Sequence, residues 1–252
     1  LVFADQNSST NSAGNQTNST VQSYFVDLVI NDVAADLKEL YGLDSIDKAR
    51  DRLMSGGYKI YSTVDIDMQK AVEQKFLDYK TFASKVLNDP PQAAFICMDY
   101  NGNIKAVVGG IGEKPGPLCW NRAVDSVRSP GSCIKPISTY GYGLSMDLFH
   151  WSTIFTDKPI EVMDYEKGKK VLWPKNYSNV WSYQNFFTFE ALQRSLNTIP
   201  AQLCEKETPR AVFDFVKDKM GITTLVESKQ VNGTVVSDVN LSPMSVGGLT
   251  EG

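Results

Sequence analysis

Two pairs of residues in this 252-residue sequence have the types and the spacing of a nucleophilic site. Ser132 and Lys135 are separated by two residues, so on a helical turn their side chains share one face. A deprotonated lysine can remove the proton of a neighbouring serine hydroxyl and make it a nucleophile. Ser195 and Asn197 are separated by one residue, and in an extended or loop segment such side chains point the same way. The four residues therefore predict a serine nucleophile, a lysine base and two more polar groups in one cleft.

Each of these spacings is weak evidence by itself. The serine-to-lysine spacing also occurs at Ser45 and Lys48, where Ser45 is better placed to cap a helix. Ser195 and Asn197 could likewise cap a helix ahead of Pro200, and spacing alone favours this structural interpretation. The lysine of the first pair must also lose its proton to act as a base, which requires burial or cationic neighbours.

The residue counts narrow the chemistry further. The only histidine is His150, so a Ser-His-Asp triad would have to use it, and a multi-histidine metal site is excluded. Its aromatic neighbours favour a packed or surface histidine rather than a catalytic one. The four cysteines have neither C-x-x-C nor metal-ligand spacing, and their disulfide state is left open: Cys97, Cys119, Cys133 and Cys204. The sequence therefore predicts neither a metal nor a cofactor.

Charge and hydropathy exclude several kinds of partner. The 25 lysines and arginines are scattered among 29 acidic residues and give a net charge of −4, whereas nucleic-acid binders carry a basic face. No apolar run approaches the roughly 20 residues that span a bilayer. The glycine-rich segment 109–112 lacks the lysine and hydroxyl residue of a phosphate-binding loop. We expect a soluble chain with no nucleic-acid partner.

The elements that must position the four residues begin after a polar tract. Residues 5–20 are nearly all Asn, Ser, Thr, Gln, Gly or Ala, and they predict a flexible linker over 1–20. Apolar spacing and capping residues then predict four elements, which are a helix over 24–40, a helix capped by Ser45, a strand over 58–64 and a helix capped by Asp65. Two prolines, Pro90 and Pro91, follow and predict a domain boundary.

Beyond the prolines the pattern mixes strands and helices. Two apolar runs, 93–98 and 104–108, flank Asn101 and Gly102, and they predict a β-hairpin. Near the end of the chain, Thr208 and Pro209 predict a helix start. An antiparallel hairpin combined with helices indicates an α+β fold rather than a doubly wound parallel sheet.

The segments around the four residues resemble class A penicillin-binding proteins, bifunctional serine acyltransferases of the cell wall. The matching segments occur in the family's order and spacing: Asn121–Ala123, Arg128–Pro136, Pro174–Tyr177, Ala191–Asn197 and Ala211–Ile222. A further segment, Gly57–Asp65, resembles the stretch that these proteins place before the transpeptidase domain. The resemblance covers roughly residues 21 to 252.

This resemblance implies an α+β fold, namely an incomplete penicillin-binding transpeptidase (β-lactamase-like serine acyltransferase) fold preceded by a small α/β linker domain. The implied division is a flexible linker over 1–20, an inter-domain pedestal over 21–90 and a partial transpeptidase domain over 91–252. The implied activity is that of a D,D-transpeptidase that cross-links peptidoglycan stem peptides through an acyl-enzyme.

The family also assigns a role to each candidate residue. Ser132 would attack the D-Ala-D-Ala carbonyl of a stem peptide and Lys135 would be its general base. Ser195 would relay a proton to the leaving amine, and Asn197 would hold both Lys135 and the substrate amide. The implied partners are a D-Ala-D-Ala donor peptide, an amine acceptor peptide, β-lactam antibiotics and other proteins of a cell-wall synthesis complex. The implied place is the outer face of the bacterial cytoplasmic membrane, with attachment only through an upstream anchor.

The sequence departs from the family in one respect, because it contains no K-T-G or K-S-G segment. In the family this third element supplies the other oxyanion donor, and we therefore expect the chain to be a fragment that is inactive alone. We also expect the 93–108 hairpin to have unpaired edges and an uncovered apolar face. One alternative is a monofunctional transpeptidase or carboxypeptidase. Another is a non-catalytic sensor or scaffold that binds cell-wall peptide or a partner.

Overall fold

The computed structural model of the protein describes residues 21–78, 91–164 and 167–251. The predicted linker over 1–20 lies outside the described residues, as does Pro90 of the predicted boundary. The chain divides into two compact units, Leu1–Ser126 and Val127–Gly252, and each is described by itself.

Three helices of the first unit confirm the sequence prediction: α1 (Tyr24–Leu40), α2 (Ile46–Ser55) and α3 (Ile66–Leu77). Each begins at a side-chain cap, since the Ser23, Ser45 and Asp65 side chains accept hydrogen bonds from the backbone N–H three residues later. The apolar face of α1 packs on α2 around Ile30, Ala34 and Leu53.

The predicted hairpin is also present, as β1 (Phe95–Met98) paired antiparallel with β2 (Ile104–Val108). Val107 and Val108 of β2 are buried in a cluster with residues of α1 and α3, whereas Phe95, Ile96 and Met98 of β1 are exposed, so the uncovered apolar surface that we expected is present on β1. This packing places the hairpin in the first unit, whereas the resemblance assigned residues 91–108 to the transpeptidase domain.

The predicted strand over 58–64 is wrong, because this segment forms no strand. Only its end reaches β2, where Thr63 Oγ1 donates to Ile104 O at 2.6 Å and Asp65 N donates to Lys105 O at 2.9 Å. Further along β2, the side chain of Gln69 bonds both backbone groups of Val107, at 2.8 and 2.9 Å. A helical side chain therefore occupies the edge that a strand would need.

The second unit contains a 3₁₀ turn (Gly131–Ile134), five helices and three antiparallel two-stranded pairs among its described residues. The helices are α4 (Thr139–Ser145), α5 (Thr188–Gln193), α6 (Thr198–Glu207), α7 (Pro209–Asp218) and α8 (Leu241–Val246). The pairs are β3 (Ile154–Thr156) with β6 (Asn185–Phe187), β4 (Ile160–Asp164) with β5 (Lys169–Trp173), and β7 (Lys229–Val231) with β8 (Thr234–Val236).

Helix α7 confirms the predicted start at Pro209, with Thr208 Oγ1 accepting from Ala211 N at 3.3 Å. Its buried face, formed by Val212, Phe213 and Val216, packs with residues of α6 and α8 and with Ile134. Because Ile134 closes the 3₁₀ turn, this core fixes the turn that carries Ser132. The mixture of helices and antiparallel strands confirms the α+β composition.

Candidate functional site

The 3₁₀ turn Gly131–Ile134 positions the predicted nucleophile. Ile134 is buried in the core of the second unit, while Ser132 is exposed on the opposite side of the turn. Gly131 has a φ of +56°, which lets the chain turn sharply into this segment. The turn is also tied to the end of α8, since Gly131 N donates to Gly247 O at 3.2 Å and Ser129 Oγ donates to the same oxygen.

Lys135 directly follows the turn and is completely buried. Its Nζ lies within hydrogen-bond distance of four oxygens, namely Asn197 Oδ1 at 2.7 Å, Ser195 O at 2.9 Å, Ser195 Oγ at 3.2 Å and Leu196 O at 3.2 Å. An ammonium group has only three hydrogens, so it can satisfy three of these oxygens at a time. The structure thus brings Lys135, Ser195 and Asn197 into direct contact.

The segment 195–197 joins α5 to α6, and its shape directs these groups inward. Ser195 has a φ of +50°, an uncommon conformation for a residue other than glycine. Asn197 occupies the capping position of α6, yet its side chain makes no capping hydrogen bond. Its Oδ1 accepts from Lys135, and its Nδ2 donates to Lys175 O at 2.8 Å. The alternative in which Asn197 serves as a side-chain cap is therefore not what the structure contains.

Burial changes the acid–base behaviour of Lys135. Desolvation lowers its pKa to about 8. A lower pKa raises the share of Lys135 side chains that are neutral at pH 7. Within the described ranges Lys135 forms no ion pair that would hold its proton more tightly. Lys135 can therefore accept a proton near neutral pH.

Ser132 stands apart from this contact group. Among the hydrogen bonds of the described residues, Lys135 Nζ makes none to Ser132 Oγ. Lys135 must exchange one of its four oxygens for the Ser132 hydroxyl before a proton can pass between them. Catalytic hydrogen bonds are often long or poorly aligned in an unliganded site and tighten when substrate binds.

Sequence reasoning missed the residues that support this group. Asn176 lies in the segment Pro174–Tyr177, which the family resemblance identified without a role. In the structure Asn176 Oδ1 accepts a hydrogen bond from Asn197 N at 2.8 Å. The two residues are 21 positions apart, so no spacing rule for a helix or strand would have paired them.

His150 and the cysteines stay outside this group. His150 is exposed, and its backbone N–H donates to Thr153 Oγ1. The four cysteines are free thiols, with Cys133 exposed beside Ser132 and Cys204 buried. In the described part of the chain, no three His, Cys, Asp or Glu side chains come together as a metal site would require.

Comparisons with known proteins relate the chain to one family. No family model matches it. It is 29% identical over 228 residues to penicillin-binding protein 1A of Clostridium tetani, covering 86% of this chain, and 30% identical over 246 residues to that of Clostridium acetobutylicum, covering 93%. The chain spans 28% of the length of each of these curated relatives. The chain is thus distantly homologous to class A penicillin-binding protein 1A over most of its length, which confirms the resemblance.

Solved structures give a weaker likeness. A crystal structure of a peptidoglycan synthetase from Bifidobacterium adolescentis matches with a TM-score of 0.47 and 19% identity, over 72% of this chain and 36% of that one.

Proposed function

We propose that this distant relative of penicillin-binding protein 1A carries the nucleophile and the base of a D,D-transpeptidase, which cross-links peptidoglycan stem peptides and is acylated by β-lactams. The observation that supports this most directly is the burial of Lys135 against Ser195 and Asn197, three residues after an exposed serine. A lysine that only shaped the surface would keep its ammonium group in water.

In the proposed acylation step, Ser132 Oγ attacks the carbonyl carbon of the D-Ala-D-Ala bond and its proton passes to Lys135 Nζ. The C–N bond then breaks, and the leaving D-Ala amine takes a proton from Ser195 Oγ, which is replenished from Lys135 across 3.2 Å. The Ser132 backbone N–H would supply one donor to the oxyanion. The products are an acyl-enzyme and free D-Ala.

In the proposed second step, the amine of a neighbouring stem peptide attacks the acyl-enzyme carbonyl. The bond to Ser132 Oγ breaks, the new amide bond forms the cross-link, and the proton lost by the amine returns to Ser132 through Lys135. A β-lactam would acylate the same serine by opening its own ring, so no group leaves.

The place of this activity belongs to the same proposal. We place the protein at the outer face of the bacterial cytoplasmic membrane, held by an anchor upstream of this chain and working with other cell-wall synthesis proteins. None of the helices in the described ranges is long and apolar enough to cross a bilayer. The chain spans 28% of the length of each of the two relatives named above, and the activity of the whole protein is part of this proposal.

The test uses the full-length protein as its gene encodes it, incubated with a fluorescent penicillin. We expect covalent labelling of the wild type and none of Ser132→Ala. The matched control is Cys133→Ala, which removes the neighbouring exposed thiol and should leave labelling intact. Label retained on Ser132→Ala would disprove the nucleophile. A wild type that binds stem peptide but never forms a covalent adduct would instead support the non-catalytic sensor or scaffold.

A further inference from the structure

A buried carboxylate lies behind the candidate site, at Asp157 between β3 and β4. The residue is 2% exposed, and its carboxylate accepts four hydrogen bonds. Oδ1 accepts from Asn176 Nδ2 at 2.8 Å and Thr198 Oγ1 at 2.6 Å, while Oδ2 accepts from Ser182 N at 2.9 Å and Ser182 Oγ at 2.8 Å. Burial raises the pKa of this carboxyl, but these hydrogen bonds outweigh it and leave the pKa below its usual value. Asp157 is therefore a charged acceptor at neutral pH.

This carboxylate fixes which way the Asn176 amide points. Asn176 Nδ2 donates to Asp157 Oδ1 at 2.8 Å and to Val180 O at 3.2 Å. Both partners only accept, so a flipped amide would place its oxygen against two other oxygens. The Asn176 oxygen must therefore face the other way, where it accepts from Asn197 N at 2.8 Å.

The same carboxylate also holds the residue after Asn197, because Thr198 Oγ1 donates to it directly. Asn197 is thus held on both sides, at its own N–H through Asn176 and at Thr198. Its side chain is oriented in turn by Lys175 O, which accepts from Nδ2 and leaves Oδ1 for Lys135. Three hydrogen bonds link Asp157 to Lys135 through Asn176 and Asn197, and in each of them the donor and the acceptor cannot exchange roles.

We propose that Asp157 is a positioning residue, which holds Lys135 in place through Asn176 and Asn197. It makes no hydrogen bond to Lys135, and its carboxylate serves to keep the oxygen of the Asn197 side chain against the lysine. The effect on catalysis rests on the proposed function. The chain of hydrogen bonds can be tested without any reaction.

The first test is Asp157→Asn in the full-length protein, with the acylation rate by fluorescent penicillin measured between about pH 6 and 10. The new amide presents a donor to Asn176 or to Ser182, so the chain to Asn197 is broken or reversed. The bond from Asn197 Oδ1 favours the ammonium form of Lys135, and weakening it favours the neutral form. Compared with wild type, we expect the acylation rate of Asp157→Asn at high pH to be about tenfold lower. We expect the midpoint of its pH–rate profile to be lower by about half a unit or more.

A swap variant distinguishes the loss of this hydrogen-bond chain from a general disturbance of the structure around residue 157. Asp157→Asn combined with Asn176→Asp restores an amide facing a carboxylate, and the second oxygen of residue 176 can again accept from Asn197 N. The other oxygen of residue 176 now faces Val180 O, so we expect this double variant to recover part of the lost rate and to raise the midpoint again from its value in Asp157→Asn. The matched control is Ser182→Ala, which removes one hydrogen bond from the far oxygen of Asp157 and should leave the midpoint unchanged.

A second readout keeps this inference separate from the proposed activity. The titration of Lys135 is followed by NMR of protein carrying lysine labelled with ¹³C at Cε. A midpoint that falls in Asp157→Asn and rises again in the swap variant supports positioning even if penicillin never labels the wild type, in which case only the proposed function fails. If Asp157→Asn does not fold, Asn176→Ala takes its place with the same expected shift. A folded variant with an unchanged Lys135 midpoint, or a swap that restores nothing, overturns the inference.

Discussion

The two ends of α6 bury polar side chains in opposite ways. At the start of the helix, Asn197 and Thr198 have partners for their polar side-chain atoms, and these partners lead to Lys135 and Asp157. At the last residue of the helix, Glu207 is 7% exposed, and neither of its carboxyl oxygens has a hydrogen-bond partner among the described residues. The same helix thus ends in a satisfied network at one end and an isolated acid at the other.

The difference shows what burial does with and without partners. Burial raises the pKa of Glu207 to about 8, so this side chain is held largely protonated near neutral pH. Its Oε1 occupies space beside α4 that is open only because residue 143 is glycine, since a Cβ there would lie 2.4 Å from this oxygen. Asp157 is also almost inaccessible to solvent, but four donors keep it charged. Hydrogen-bond partners can therefore offset the effect of burial on the ionisation of a carboxyl group.

The largest effect should come from removing the base at the satisfied end, with Lys135→Met. Methionine fills similar space without an amine, so Ser132 loses its proton acceptor. General-base catalysis contributes about 10²- to 10⁴-fold, and we expect acylation by fluorescent penicillin to slow by about 10³-fold. The matched control is Lys158→Met, which removes an exposed lysine and should react at the wild-type rate. Acylation of Lys135→Met within about tenfold of wild type would assign the base to another group.

The next largest effect concerns the end of α6 at which the Glu207 carboxyl has no partner. Glu207→Gln keeps the shape of this side chain but removes its ability to ionise. The folded protein holds this proton up to about pH 8, whereas the unfolded chain releases it near the ordinary value of 4.5. Stability from this group is therefore fully present below about pH 4.5 and is lost as the pH rises through about 8. We expect the variant to match wild type at low pH and to be more stable at pH 8, by on the order of 1–3 kcal/mol.

Urea unfolding at the two pH values measures this gap. Glu205→Gln, on the exposed face of the same helix, is the control and should gain no stability at the higher pH. An equal difference between Glu207→Gln and wild type at both pH values would show that Glu207 finds a partner or solvent in the folded protein.

Local sequence signals predicted the parts of the fold that depend on neighbours along the chain. Ser45 and Asp65 cap their helices, and Asn101 with Gly102 turns the hairpin. The strand prediction over 58–64 failed because a β-rich composition does not reveal that Gln69 will occupy the strand edge. The β7–β8 hairpin turns at Asn232 and Gly233, a signal of the same kind as Asn101 and Gly102 that could have predicted it. Strands β3 to β6 are three to five residues long, and no Asn-Gly turn joins any of them to its partner.

The residues of the candidate site also differ in how far the sequence could predict them. The spacing of Ser132 and Lys135 places them at one turn of the chain, but both this pair and the pair of Ser195 and Asn197 gained their weight from the family resemblance. Asp157 gives no signal, since the hydroxyl that it holds at Thr198 lies 41 positions away. Contacts at such separation are set by tertiary packing, and one sequence does not contain the pattern that would show them.

The smallest effect concerns the residue after Glu207, Thr208, and tests whether its backbone is strained. This residue has a φ of +72°, a conformation that favours glycine, while its hydroxyl caps α7. Replacing a threonine cap with alanine costs about 1 kcal/mol, whereas glycine costs only a few tenths and relieves the backbone. We expect Thr208→Ala to lower the unfolding free energy by about 1 kcal/mol and Thr208→Gly to leave it unchanged or raise it. Equal losses in both variants would show that the cap alone matters here and that the backbone at the end of α6 is relaxed.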